Sequence, residues 1–175
     1  QYFFQSGAGD FVKADGNVAV QTSGGYVRIF QKTDGTWRQS QFLTQTSFPN
    51  ANSFGSSLDV SGNLLLVADP DNDELPDAPG AVYVFKRDAS GTYELLRKIH
   101  EPSALNEGKF ATIVKVDGQR AIVHQSALSV ARSVHIFTDI ETPQNAALCT
   151  LAGQCICRSG FGGDTCELAP DEFSD

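Results

Sequence analysis

Leu58-Asp-Val-Ser-Gly-Asn-Leu-Leu-Leu-Val67, followed by Gly80-Ala-Val-Tyr-Val-Phe85, is the stretch that decides the fold. Ser61-Gly62 sits between two short, apolar, β-prone runs. A glycine there supplies the positive φ that a tight hairpin turn requires. Val82 and Val84 flank Tyr83, the period-two alternation of a half-buried strand. Beyond Phe85 a further turn, Ser90-Gly91, precedes Thr92-Tyr93, so the unit reads as a four-stranded antiparallel meander.

The same grammar occurs twice more. Upstream stand Val12-Lys-Ala-Asp-Gly-Asn-Val-Ala-Val20 and Gly25-Tyr-Val-Arg-Ile-Phe30, then Asp34-Gly35 and Thr36-Trp37. Downstream stand Val114-Lys-Val-Asp-Gly-Gln-Arg-Ala-Ile-Val123 and Ser133-Val-His-Ile-Phe137. This third unit breaks off at Glu141-Thr-Pro143 and lacks a fourth strand. The closing Phe30, Phe85 and Phe137 are 55 and 52 residues apart, a period that points to propeller blades or a similar array. Tyr2-Phe3-Phe4 reads as the last strand of a blade whose beginning is missing. The recurring aromatics Phe30, Trp37, Phe54, Phe85, Tyr93, Phe110 and Phe137 are expected in the blade cores.

Phe54-Gly55, Ala68-Asp69-Pro70 and the strand Gly80–Phe85 resemble an FG-GAP repeat, the blade of integrin-α-like and related β-propellers. Lys109-Phe110-Ala111 stands in the FG place of the third unit. The resemblance implies an all-β fold of about three antiparallel propeller-like blades, a partial β-propeller over residues 1–140. A closed propeller has four to eight blades. Open blade faces would expose apolar surface, so the chain is expected to be the end of a longer propeller, or to take its missing blades from another chain.

The remaining composition narrows the classes. The 175 residues suffice for one domain and a small appendage, and 41% hydrophobic with 19% charged residues fits a packed core. A net charge of −8 argues against charge-driven binding to nucleic acid or an anionic membrane. No apolar run approaches the ~20 residues of a membrane-spanning helix, so no membrane insertion is expected. The chain has no methionine, no signal peptide and no Asn-x-Ser/Thr sequon, and begins at Gln1, as a processed chain or a piece of a longer one would.

All four cysteines, Cys149, Cys155, Cys157 and Cys166, fall in a short C-terminal window. Such a segment is too small to hold itself together by apolar burial and needs staples. Four cysteines allow three connectivities. The spacing Cys-x-Cys does not fit the Cys-x2-Cys of zinc sites. Gly153-x-Cys155-x-Cys157-x-x-Gly160-Phe161-x-Gly163-x-x-Cys166 resembles the C-terminal half of a tenascin-type EGF-like module. That resemblance implies a Cys157–Cys166 disulfide, and with it Cys149–Cys155; the first two cysteines of a full module are missing. The expected organisation is blades over 1–140, a linker 141–148, an EGF-like half module 149–167 and an acidic end 168–175.

Chemistry concentrates in Asp69-Pro-Asp71-Asn-Asp73-Glu-Leu-Pro-Asp77. Oxygens at loop positions 1, 3, 5 and 9 suit a hard cation, which makes Asp69, Asp71, Asp73 and Asp77 the candidate calcium ligands against the plainer reading of a solvated acidic loop. The family's calcium loop precedes the GAP element, whereas this one follows it. His100, His124 and His135 pair with no nearby acid and read as structural or surface residues. No Gly-x-Ser-x-Gly elbow and no phosphate-cradling glycine loop is present, so no enzyme is expected. The leading expectation is an extracellular or cell-surface structural or adhesive protein. Its partners would be other proteins or copies of itself, within a larger chain or a filament such as a flagellar-hair fibre. The alternative is a secreted receptor or lectin-like module that binds ligand, calcium-dependent or not. Loops Asp69–Pro79 and Gln125–Arg132 are the places to look.

Overall fold

The tight turns at Asp15-Gly16, Ser61-Gly62 and Asp117-Gly118 set the fold. Their glycines have φ of +55°, +58° and +54°, and each reverses the chain between two antiparallel strands. The computed structural model describes residues 11–75, 80–101, 108–126 and 133–141, and the backbone of 148–149 and 155–156. Two compact units divide the chain, Gln1–Glu141 and Thr142–Asp175.

The first unit holds three open antiparallel sheets. Strands β1 (Val12–Asp15), β2 (Val18–Ser23), β3 (Tyr26–Thr33) and β4 (Thr36–Thr44) form the first, in chain order. A single 3-10 turn, Gln45–Ser47, follows it. Strands β5 (Leu58–Ser61), β6 (Leu64–Asp69), β7 (Ala81–Arg87) and β8 (Tyr93–His100) form the second. Strands β9 (Lys109–Asp117), β10 (Arg120–Ser126) and β11 (Ser133–Phe137) form the third, which has no fourth strand among the described residues. Two of the meanders carry a bulge at the same repeat position, between Ile29 and Phe30 and between Val84 and Phe85. No α-helix occurs among the described residues, and none is long and apolar enough to cross a membrane.

The sheets stack face to face, and side-chain alternation explains how. In the second sheet Leu65, Val67, Tyr83 and Phe85 pack with Val18, Val20, Val27 and Ile29 of the first. The alternate residues Leu64, Leu66, Ala68, Val82 and Val84 pack with Val114, Val116, Ala121 and Val123 of the third. Strand β6 is therefore buried at all six positions, and its apolar run is continuous because both faces are covered. We call the face toward the preceding sheet the front and the other the back. The first strands lie side by side, β1 against β5 and β5 against β9.

Two sequence expectations need correction, and one strand departs from the usual pattern. Val82, Tyr83 and Val84 are all 0% exposed, since a sheet between two others has no solvent side. Trp37 is only half-buried near the end of the first sheet, with the Lys32 ammonium 6.0 Å from its ring. In β11 the alternation is inverted: Val134 and Ile136 are 60% and 66% exposed, and His135 faces inward beside Phe110.

Gly80 joins the second and third sheets. Its φ is +103°, and a Cβ there would lie 2.5 Å from the Phe110 carbonyl oxygen. Backbone cannot yield as a side chain does, so Gly80→Ala should cost about 2 kcal/mol. Thermal unfolding would measure this.

In the second unit β12 (Leu148–Cys149) pairs antiparallel with β13 (Cys155–Ile156), in the register Leu148↔Ile156 and Cys149↔Cys155.

Candidate functional site

The acidic loop predicted from sequence leaves β6 at Asp69 and meets the segment 48–56 that leads into β5. Asp69 is 0% exposed. Its carboxylate accepts the backbone N–H of Ser53 at 2.7 Å and of Asn52 at 3.3 Å, and the Asn72 amide at 3.2 Å. Burial holds the Asp69 carboxyl above the ordinary aspartate range, while these donors pull against it. The Asn72 amide also donates to the Tyr83 hydroxyl at 3.0 Å. Burial, then the charges of Asp69 and Glu74, push that phenol far above its usual value. Gly55 N–H donates to the Ala68 carbonyl at 2.9 Å, and Phe54 packs against Phe48 and Tyr83 with ring centroids 5.0 and 5.2 Å apart. Phe54-Gly55 and Ala68-Asp69 thus form one clip that fastens the approach segment to the end of β6.

Around the clip Asp71 and Glu74 each have a charged partner. Asp71 accepts from the Ser53 hydroxyl and lies 2.5 Å from the Lys109 ammonium. Lys109 and Ser53 together hold the Asp71 carboxyl below its usual range. Glu74 takes Lys98 at 2.7 Å and lies 3.6 Å from His100 Nε2; the Lys98 ammonium sits 4.9 Å above the Tyr83 ring. Asp73 is exposed. Asp77, the fourth candidate calcium ligand, lies outside the described residues. Asp69 turns inward to backbone N–H groups and Asp71 turns to Lys109, and both carboxylates meet Ser53, one at its N–H and the other at its hydroxyl. Among the described residues no three His, Cys, Asp or Glu side chains converge as a metal site.

The histidines are separated as well. His100 belongs to β8 beside Glu74, and the His124 ring lies 2.7 Å from the Thr112 hydroxyl. His135 meets Gln125 and Ser133 at 2.8 and 3.0 Å. His124 and His135 point from opposite faces of the third sheet. An open cleft of about 320 Å3 beside the clip is lined by residues such as Thr22, Gln45, Asn52 and Phe54, none of them ionisable. The arrangement is suited to holding strands and loops in register.

Sequence reading did not single out a second charged array. Lys13, Asp59 and Lys115 occupy the same position of β1, β5 and β9. Asp59 accepts Val116 N–H at 3.1 Å and lies 3.7 Å from the Lys115 ammonium. Lys115, within hydrogen-bonding reach and of like charge, pushes Lys13 below its usual value, and Asp59 partly offsets this. Aligning the three repeats at their turn glycines is the signal that would have found it. Cys149 and Cys155 face each other in backbone register. Their side chains, and Cys157 and Cys166 altogether, lie outside the described residues, as does most of the loop Gln125–Arg132.

One pH effect follows from the clip. A carboxyl whose folded pKa is depressed adds stability above its unfolded value near 3.9, lost as pH falls through the folded value. Asp71→Asn should therefore narrow the difference in melting temperature between pH 7 and pH 3. The effect corresponds to less than about 1 kcal/mol, because the pair is partly exposed.

Comparison with protein-family models, with curated proteins and with solved structures finds no match to this chain.

Proposed function

We propose that this chain is an extracellular structural or adhesive protein. Its FG-GAP-like blades act as a rigid interaction surface, and its EGF-like tail as a spacer, within a larger chain or a filamentous assembly. The observation that carries this reading is the stacking of three meanders by one rule, back face on front face, with their first strands side by side. That is how successive propeller blades are arranged. The contacts at the candidate site support the same reading, because Asp69, Asp71 and Glu74 are engaged in holding the scaffold. A scaffold of this kind presents its loops to partners.

The test is surface labelling of intact source cells with a membrane-impermeant amine reagent. The chain should be labelled, through exposed lysines such as Lys109 and Lys115. Labelling only after lysis would overturn the reading. The tail has its own check: the intact mass should rise by four hydrogens on reduction, and four free thiols in native protein would remove the EGF-like assignment.

A further inference from the structure

We propose that the two ends of this stack are the two halves of one interface, by which one copy of the chain docks head to tail on another. The proposal rests on the stacked-repeat reading above and adds what covers the end faces.

Exposed large apolar side chains are concentrated there. The described residues have ten, and seven lie on the two end faces. Val12, Tyr26 and Phe42 lie on the front of the first sheet; Ile113, Ile122, Val134 and Ile136 lie on the back of the third. Repeat register explains these positions. Ile122, Val134 and Ile136 correspond to Leu66, Val82 and Val84 of the second sheet, which are 0% exposed beneath the third. Val12 corresponds to Leu58 and Val114, which are 1% and 0% exposed on the sheet before them. Each end thus leaves open the positions that the internal junctions bury, and the same chain carries both complementary sets.

A polar contact follows the same register. Asp15, on the back of the first sheet, accepts the N–H of the turn glycine Gly62 at 2.6 Å. Its equivalent on the third sheet is Asp117, which is exposed; the equivalent of Gly62 on the first sheet is Gly16. A docked copy would offer its Gly16 N–H to Asp117. The middle of the first sheet's front face is already covered, with Ala19, Gln21 and Phe30 at 5%, 3% and 6% exposure, so the contact falls on the flanks at Val12 and at the stacked pair Tyr26–Phe42. A head-to-tail contact is heterologous: it closes into a ring or runs on as a filament.

The experiment measures the mass of the purified chain by light scattering after size exclusion, for wild type, Ile136→Asp, Phe42→Asp and Tyr26→Asp. The wild type should be a dimer or larger. Ile136→Asp on one face, and Phe42→Asp or Tyr26→Asp on the other, should each be monomeric with unchanged circular dichroism. Mixing Ile136→Asp with Phe42→Asp should restore a dimer, because one junction of the pair is then intact on both sides. Raising salt should favour assembly, since Arg28 on one face and Lys115 and Arg120 on the other are like charges that salt screens. A monomeric wild type overturns the proposal. So does assembly that only the Ile136 substitution disrupts, or a mixture that stays monomeric. Because surface labelling is indifferent to assembly state, a labelled monomer would overturn this interface and leave the extracellular reading in place.

Discussion

Asp69→Ala lowers the free energy of unfolding by about 3 kcal/mol. The carboxylate accepts three hydrogen bonds, from Asn52 N–H, Ser53 N–H and the Asn72 amide, and it is fully buried. Alanine leaves all three donors without it, and each such loss costs about 1 kcal/mol or more where water cannot enter. The midpoint of urea unfolding should fall with an unchanged slope, because the surface exposed on unfolding is the same. Asp69→Asn keeps one acceptor and should lose less. Its pH behaviour separates geometry from charge. Burial raises the folded pKa of Asp69, so its contribution is fully present below the unfolded value near 3.9 and declines as pH rises through the folded value. Asparagine does not titrate. The stability deficit of Asp69→Asn against wild type should therefore shrink between pH 3 and pH 6.

Phe54→Ala costs about 4 kcal/mol, the range for truncating a buried phenylalanine. Phe54 is 1% exposed, in van der Waals reach of Phe48 and edge-on to Tyr83 and Phe85. These rings lie between the first and second sheets and belong to a well-packed core, so the cavity would not collapse fully. Phe54→Leu fills most of the volume and should recover at least half of the loss. If both variants unfold like wild type, Phe54 does not anchor the junction between these sheets. Together the two variants test whether Phe54-Gly55 and Ala68-Asp69 act as one mechanical clip.

How much of this was legible in the sequence varies by element. The three turn glycines, the apolar runs beside them and the Phe30, Phe85 and Phe137 spacing placed eleven strands in three antiparallel sheets. Turn chemistry and period-two alternation are local properties, and a strand reports them wherever it packs. The bulges after Ile29 and Val84 were not visible, because Ser40 and Leu96, the extra residues opposite them, are unremarkable in composition. The acidic loop was legible as a concentration of carboxylates. Its use was not: Asp69 turns inward and Asp71 turns to Lys109, partners 16 to 38 residues away in the chain.

The third sheet shows the limit of pattern reading most clearly. Val134 and Ile136 alternate with His135 as apolar positions should, and the pattern alone assigns them to the core. They face outward because the second sheet occupies the other face, and the layer that their counterparts Val82 and Val84 enjoy is absent from this chain's described residues. Sequence by itself determined the all-β class, the meanders and the repeat. Only the tertiary structure decided which face of each sheet is covered, since alternation defines two faces and packing alone decides how many are buried.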